Sequence, residues 1–351
     1  MRNTSMLARS MLLAFAASLA ACAPTTPAGQ NEATGPTEAT QEATAPEGVE
    51  RITVSTGVDL SDSGQVPQYS LQVGQGHWLL YVFETERLIY DGTEIASGNL
   101  AGLMDFGMAL SRNGLHYAYT APNPDNPGFT DLLADGSIVD TAQYLSQPAV
   151  TDDGQGYFFL ACVGESSFIG TCLFKNHTDI FLHGDGIVDY QVSADGSTFL
   201  ADLRSFDANE SMGGLLVLDG LKVHSGASVM SMLLSGNGQH YAFATVDTTT
   251  GAQSLHVDGA VVRTSTALHL QQLTDSGSYC GWDAAKRVVF INQQEIPVTS
   301  ESQVQCYINA DATQVLVRDG GWFLNGQPIA LENAATAEFA GDRLYVYSVV
   351  K

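Results

Sequence analysis

The sequence predicts an all-β fold: a β-propeller of four-stranded antiparallel blades, eight in number with seven as the alternative, set behind an N-terminal signal and a disordered tether. Two periodic signals and one absence predict it. A turn of the form Ser/Thr-x-Asp/Asn/Ser-Gly recurs with its glycines at 114, 154, 196, 238 and 277, spaced 40, 42, 42 and 39 residues apart. Between these lies a second turn, an Asp-Gly or Asn-Gly pair flanked by apolar runs, the signature of a type I′ hairpin in which both central residues take positive φ. No long amphipathic helix is visible after residue 50. Two hairpins in about 40 residues give four short strands per repeat, which is a propeller blade. A β-sandwich would need about seven strands and 100 residues per unit.

Taken in chain order, residues 1–21 read as a secretory signal. Arg2 and Arg9 precede an apolar run, Met11 to Leu19, which is too short to span a membrane. The small residues Leu19-Ala20-Ala21-Cys22 follow. This run resembles the bacterial lipobox, and the resemblance implies that Cys22 is lipidated and becomes the mature N-terminus. Ala23 after it implies outer-membrane retention. Residues 22–48 carry the lipidated cysteine and an Ala/Thr/Pro/Glu tether without an aromatic residue or a cation, which cannot bury enough surface to order itself. As a flexible coil it would hold the body about 25–30 Å from the lipid. Residues 49–351 are the propeller.

Within the body, strand A of each repeat ends in the apolar residue before the turn: Leu110, Val150, Val192, Leu234 and Leu273. Strand B carries alternating bulky residues, among them Tyr117 and Tyr119, Tyr157 and Phe159, Tyr241 and Phe243. The C–D turns are Asp91-Gly92, Asp135-Gly136, Asp219-Gly220, Asp258-Gly259 and Asn325-Gly326, with His183-Gly184-Asp185-Gly186 and Asn292-Gln293 filling the two gaps. Degenerate A–B turns sit at 73–77, 308–313 and 339–344. That makes eight A–B hairpins but only seven C–D hairpins after residue 80. Residues 51–61, patterned like the hairpin at 217–223, are expected to complete the eighth blade.

The repeat core, cleanest at Ser193-Ala194-Asp195-Gly196, resembles the WD40-like repeats of TolB-type propellers over most of residues 69–345. The chain departs from that pattern by lacking the usual proline at the second motif position and any separate α/β domain before the blades.

Charge and motifs narrow the chemistry. With 14 basic residues against 38 acids the net charge is −24; removing the signal takes two of the bases and leaves −26. Such a surface repels phosphate backbones, so nucleic acid is not an expected partner. No Gly-x-Ser-x-Gly, His-Glu-x-x-His, Cys-x-x-Cys or P-loop motif is present, so no catalytic and no metal-binding residue is assigned. His116 and His240 share one repeat position; His177 and His183 are read as flanking a C strand. Asp91, Asp135, Asp153, Asp195, Asp219 and Asp258 all fall in turns at one end of the blades. Turn chemistry alone selects them, with calcium weighed as the alternative cofactor.

Four cysteines follow Cys22. Cys162 and Cys172 lie on strands B and C of one blade, and a disulfide between them is expected; a Cys280–Cys306 bridge would join strand B of one blade to strand A of the next. The B–C loops at the other end of the disc are unequal. Blades two to five have 121–130, 163–171, 205–214 and 247–253, longer than a hairpin needs. Asp125, Phe129, Phe206, Asp207 and Glu210 in them are the candidate binding residues. The expected function is a non-catalytic protein-binding or assembly scaffold of the cell envelope that grips an envelope protein or a cell-wall-associated partner and touches the membrane only through its lipid. The alternatives are a propeller enzyme using acids and tyrosines on a glycan or small molecule, and a structural surface lipoprotein.

Overall fold

The computed structural model describes residues 48–56, 68–98, 100, 107–143, 145–162, 171–183, 187–204, 214–300, 304–331 and 334–350. They form seven four-stranded antiparallel sheets and one three-stranded sheet, each sheet in sequence order except the last. This is an eight-bladed β-propeller. Blade one shows the pattern: strand A Tyr69–Gly74, B His77–Val82, C Arg87–Tyr90, D Thr93–Ser97. A single 3₁₀ turn, Phe83–Thr85, makes its B–C connection.

There is no single core. Eight apolar clusters occupy the eight seams between neighbouring blades. The Phe158 cluster, for example, joins Leu160 and Leu173 of blade three to Tyr190, Ala201 and Val217 of blade four. A strand in mid-blade therefore buries both of its faces. That is why strand B of blade one, His-Trp-Leu-Leu-Tyr-Val, is apolar almost throughout instead of alternating.

Inner strands are also tied by glutamines two residues before the A–B turn. Gln72 accepts from Leu110 N–H and donates to the Met108 carbonyl of blade two. Gln191 does the same with Leu234 and Met232 of blade five, and Gln272 grips both backbone groups of Ile308 in blade seven.

The outer D strands of blades one to five each carry an irregularity of register against strand C. The residue left over is β-branched every time: Ile95, Val139, Ile180, Val223 and Val262. Such bulges twist a free edge away from pairing.

Two expectations are corrected. The ring does close with N-terminal residues, but through one strand, Val49–Ser55, and not a hairpin. It pairs parallel with Arg343–Val350 in register Val49↔Leu344 to Ser55↔Val350, next to Ala334–Ala340. Val54 is fully buried in the seam with blade one, and Val49 packs into the seam with blade seven. Val49–Ser55 is not joined by a hairpin turn to Arg343–Val350, the strand it pairs with, so nothing imposes the antiparallel sense found in the other blades. Residues 57–61 lie outside the described residues. Second, the C–D turn of blade three is Asn176-His177, both at positive φ (48° and 66°), joining Thr171–Lys175 to Thr178–His183. His177 and His183 thus bracket strand D. Asparagine tolerates the left-handed region, so the turn needs no glycine.

Candidate functional site

The Asp-lined end of the disc is built by its own turns. In all seven C–D turns the first residue is Asp or Asn at positive φ: 91, 135, 176, 219, 258, 292 and 325. Each side-chain oxygen accepts an N–H at the start of strand B, from its first residue or, in blade one, its second: Trp78 to Asp91 at 2.9 Å, Tyr157 to Asn176 at 2.9 Å and Phe199 to Asp219 at 2.8 Å are examples. The turn residue's own N–H donates back to the carbonyl of that same strand-B residue. Three aspartates use their second oxygen as well: His77, His116 and His240 set Nδ1 at 2.6, 2.7 and 2.8 Å from Asp91, Asp135 and Asp258. Carboxylates engaged this way hold turns. Among the described residues no group of three or more His, Cys, Asp or Glu is gathered to hold a metal ion.

The A–B turns form a second tier. The leading Ser111, Thr151, Ser193, Ser235, Thr274 and Asn309 are buried. Ser193 donates to Asp195 Oδ1 and accepts from Thr198 N–H, while Asp195 also receives the N–H of Ser197. These bonds favour the charged form and bring the Asp195 pKa down to about 2. Between blades, Asp152 N–H donates to the Ala194 carbonyl and Ala194 N–H to the Gly236 carbonyl.

Consecutive A strands contact one another and line the central channel. Arg112, second residue of the blade-two turn, crosses the mouth of that channel to donate to the Leu234 carbonyl of blade five. Arg112 is exposed to solvent, with blades around the channel it crosses. The enclosure lowers its pKa, opposed by the charges of Asp275 and Asp152. Sequence reasoning passed over this residue because it occupies the variable position of a repeat.

At the opposite end lie the B–C loops. In blade two Asn123 organises the loop: its Oδ1 accepts from Asp125 N–H and Asn126 N–H, and its Nδ2 donates to Asp131, itself buried and bonded to Thr141. Asp125 is exposed and Phe129 half-buried, with Phe129 backbone groups bonded to Asn123 and Asn126. In blade five Asp247 Oδ1 caps Thr249 N–H and Thr250 N–H, which lowers its pKa. Phe206, Asp207 and Glu210 of blade four, and loop 163–170, lie outside the described residues.

An open groove of about 400 Å³ runs down the rim between blades five and six, lined by Val261, Arg263, Lys286, Gln293 and Glu295. Beneath it Asp283 is fully buried, accepting Ser265 Oγ–H at 2.7 Å, with Arg263 at 3.6 Å and Lys286 at 3.9 Å. Arg263 also pairs with Glu295 at 2.7 Å and lies 4.6 Å over the Phe290 ring. These opposite charges neutralise one another and pin blade five to blade six.

Of the cysteines, Cys280 and Cys306 form the disulfide, staple the seam between blades six and seven, and sit 6.3 Å apart at Cα. The strands of blade three pair Cys162 with Thr171 and Cys172 with Ala161; the Cys162 side chain lies outside the described residues. Cys22 lies outside them too.

No family model matches this chain, and no curated protein sequence matches it. Solved structures do, as folds. A structure described as the eukaryotic initiation factor aligns over 80% of this chain and 82% of its own at 11% identity and a TM-score of 0.50. The Dos1 propeller aligns over 81% and 82% at 12% identity and a TM-score of 0.48. TolB from Acinetobacter baumannii aligns over 52% of this chain and 48% of its own, at 18% identity and a TM-score of 0.33. The chain is similar to these as one β-propeller is to another.

Proposed function

We propose that the chain is a cell-envelope lipoprotein, anchored through Cys22, whose propeller is a non-catalytic scaffold that binds a protein partner at its B–C end. The observation that carries this reading is the blade-two loop. It is longer than its hairpin requires, yet Asn123 and buried Asp131 hold it in one shape, with Pro124, Asp125 and Pro127 presented to solvent. A loop ordered in advance loses little entropy when a partner docks. At the opposite end the C–D turn Asp and Asn side chains are engaged by their own turns. The Cys280–Cys306 bridge supports an oxidising compartment. The lipobox-like Leu19-Ala20-Ala21-Cys22 supports the anchor.

Affinity capture from solubilised envelope tests the reading. Asp125→Lys and Phe129→Ser should reduce partner recovery, whereas Asp135→Asn and Asp219→Asn should not. Cys22→Ala should release the chain from the membrane fraction. Recovery unchanged by the first pair and lost with the second would place binding on the other face.

A further inference from the structure

The mouth of the channel at the A–B end holds charged groups whose bonding capacity the fold leaves unused. Arg112 has five N–H donors and, among the described residues, makes one hydrogen bond, to the Leu234 carbonyl. Among the described residues no carboxylate pairs with it, although the chain has 38 acids. Acids stand at the turns on both sides of it: Asp152 of blade three is bonded to Asn113, the residue after Arg112, and Asp275 of blade six to Asn237, in the blade-five turn that follows Leu234; both charges act on the guanidinium. Each is fixed by one oxygen. Asn113 N–H donates to Asp152 Oδ1 at 3.0 Å, and Asn237 N–H to Asp275 Oδ1 at 2.9 Å. Asn113 and Asn237 Nδ2 grip the backbone carbonyls of the same two residues, at 2.7 and 2.9 Å. Among the described residues none donates to the second carboxylate oxygen of either acid. Gly236 secures the approach on one side, since a Cβ there would stand 2.9 Å from Asp275 Oδ1.

A planar guanidinium with free donors matches a carboxylate in a bidentate fork. The two acids and the net charge of −24 repel a simple anion. A ligand that carries a cation beside its carboxylate turns that repulsion into attraction. We infer that the channel mouth is a receptor for a zwitterion of the amino-acid type, its carboxylate on Arg112 and its ammonium on Asp152 and Asp275. The site lies at the end of the disc opposite the loop face assigned to the protein partner and does not depend on that assignment.

The test is calorimetric titration of the full chain in detergent with glycine, β-alanine, 4-aminobutyrate and 6-aminohexanoate. Each is compared with the fatty acid of the same length lacking the amine, with methylammonium and with glycerol. One amino acid of the series, the one whose length fits the gap, should bind at least about tenfold more tightly than its amine-free counterpart and than methylammonium. Arg112→Gln should abolish that binding, and Arg112→Lys, which keeps the charge and loses the fork, should weaken it. Asp152→Asn with Asp275→Asn should erase the preference over the plain carboxylate. Melting temperatures of the variants near that of the parent show that the ring is intact. Should Arg112→Gln fail to fold, the Asp152→Asn/Asp275→Asn variant decides the question alone. Equal binding of the amino acids and their amine-free counterparts, binding untouched by Arg112→Gln in a folded ring, or Arg112-dependent binding of glycerol would each overturn the inference.

Discussion

Asp219 measures what the turn aspartates do. Among the described residues it has no histidine partner; it is exposed, and sits at φ 49° with its N–H on the Phe199 carbonyl at 2.9 Å and its Oδ1 accepting Phe199 N–H at 2.8 Å. Asp219→Ala removes the acceptor, worth about 1 kcal/mol net. It also places in the left-handed region a residue with no local bond to offset that conformation, at about 1 kcal/mol more. The sum is about 2 kcal/mol, or a fall of roughly 4 °C in a fold of this size. Asp219→Asn keeps the acceptor and tolerates the φ, so its melting temperature should stay within about 1 °C of the parent. Asn176, Asn292 and Asn325 already perform the task in three other blades. Differential scanning calorimetry in chelator, repeated in excess calcium, reads both variants. If Asp219→Asn costs as much as Asp219→Ala, or if calcium stabilises the parent and not the Asp219→Asn variant, the carboxylate charge matters and the turn account is wrong.

Three further outcomes are expected. Replacing Cys280 and Cys306 by alanine should cost about 3.5 kcal/mol in the chain-entropy account of a bridge spanning 26 residues; urea midpoints with and without reductant check it, and a parent indifferent to reductant would contradict the staple. Deleting residues 49–55 removes one fully buried valine and two half-buried apolar side chains, about 4 kcal/mol of burial, and should lower the stability of the whole ring, seen as a shift of the entire unfolding transition. The acids respond to pH in opposite senses. Asp195 is held at about 2, so its contribution is present above the unfolded value and lost as pH falls through about 2. Glu338, whose Oε1 accepts from Tyr347 Oη–H at the ring closure, is raised by burial, so its contribution is complete below the unfolded value and lost as pH rises through the folded one. Glu338→Gln should therefore raise the melting temperature at about pH 7 and leave it unchanged at about pH 3, the unfolded glutamate titrating near 4.3.

The fold was legible because its rules are local and repeated. A Ser-x-Asp-Gly turn specifies itself through the hydroxyl and carboxylate of its own residues, as Ser193 and Asp195 show. An Asp at positive φ specifies the C–D turn in the same way, and five copies at one spacing are enough to fix a blade. The eight-blade count followed from the eighth A–B hairpin. What the sequence misplaced, it misplaced where the local rule is degenerate: the turn Asn176-His177 has no glycine, whereas Gly184-Asp185-Gly186 carries the residue types the rule looks for. The sense of strand Val49–Ser55 was not legible at all, because no hairpin turn joins it to its partner strand and residue type does not choose between parallel and antiparallel pairing. The same holds for the groups that act between blades. Gln72, Gln191 and Gln272 look like ordinary strand residues until the next blade's inner strand lies beside them. Arg112 is a variable turn residue until curvature through eight blades brings Leu234, 122 positions along the chain, within reach of its guanidinium. Local turn chemistry is written in consecutive residues; contacts across a ring exist only once the ring has closed.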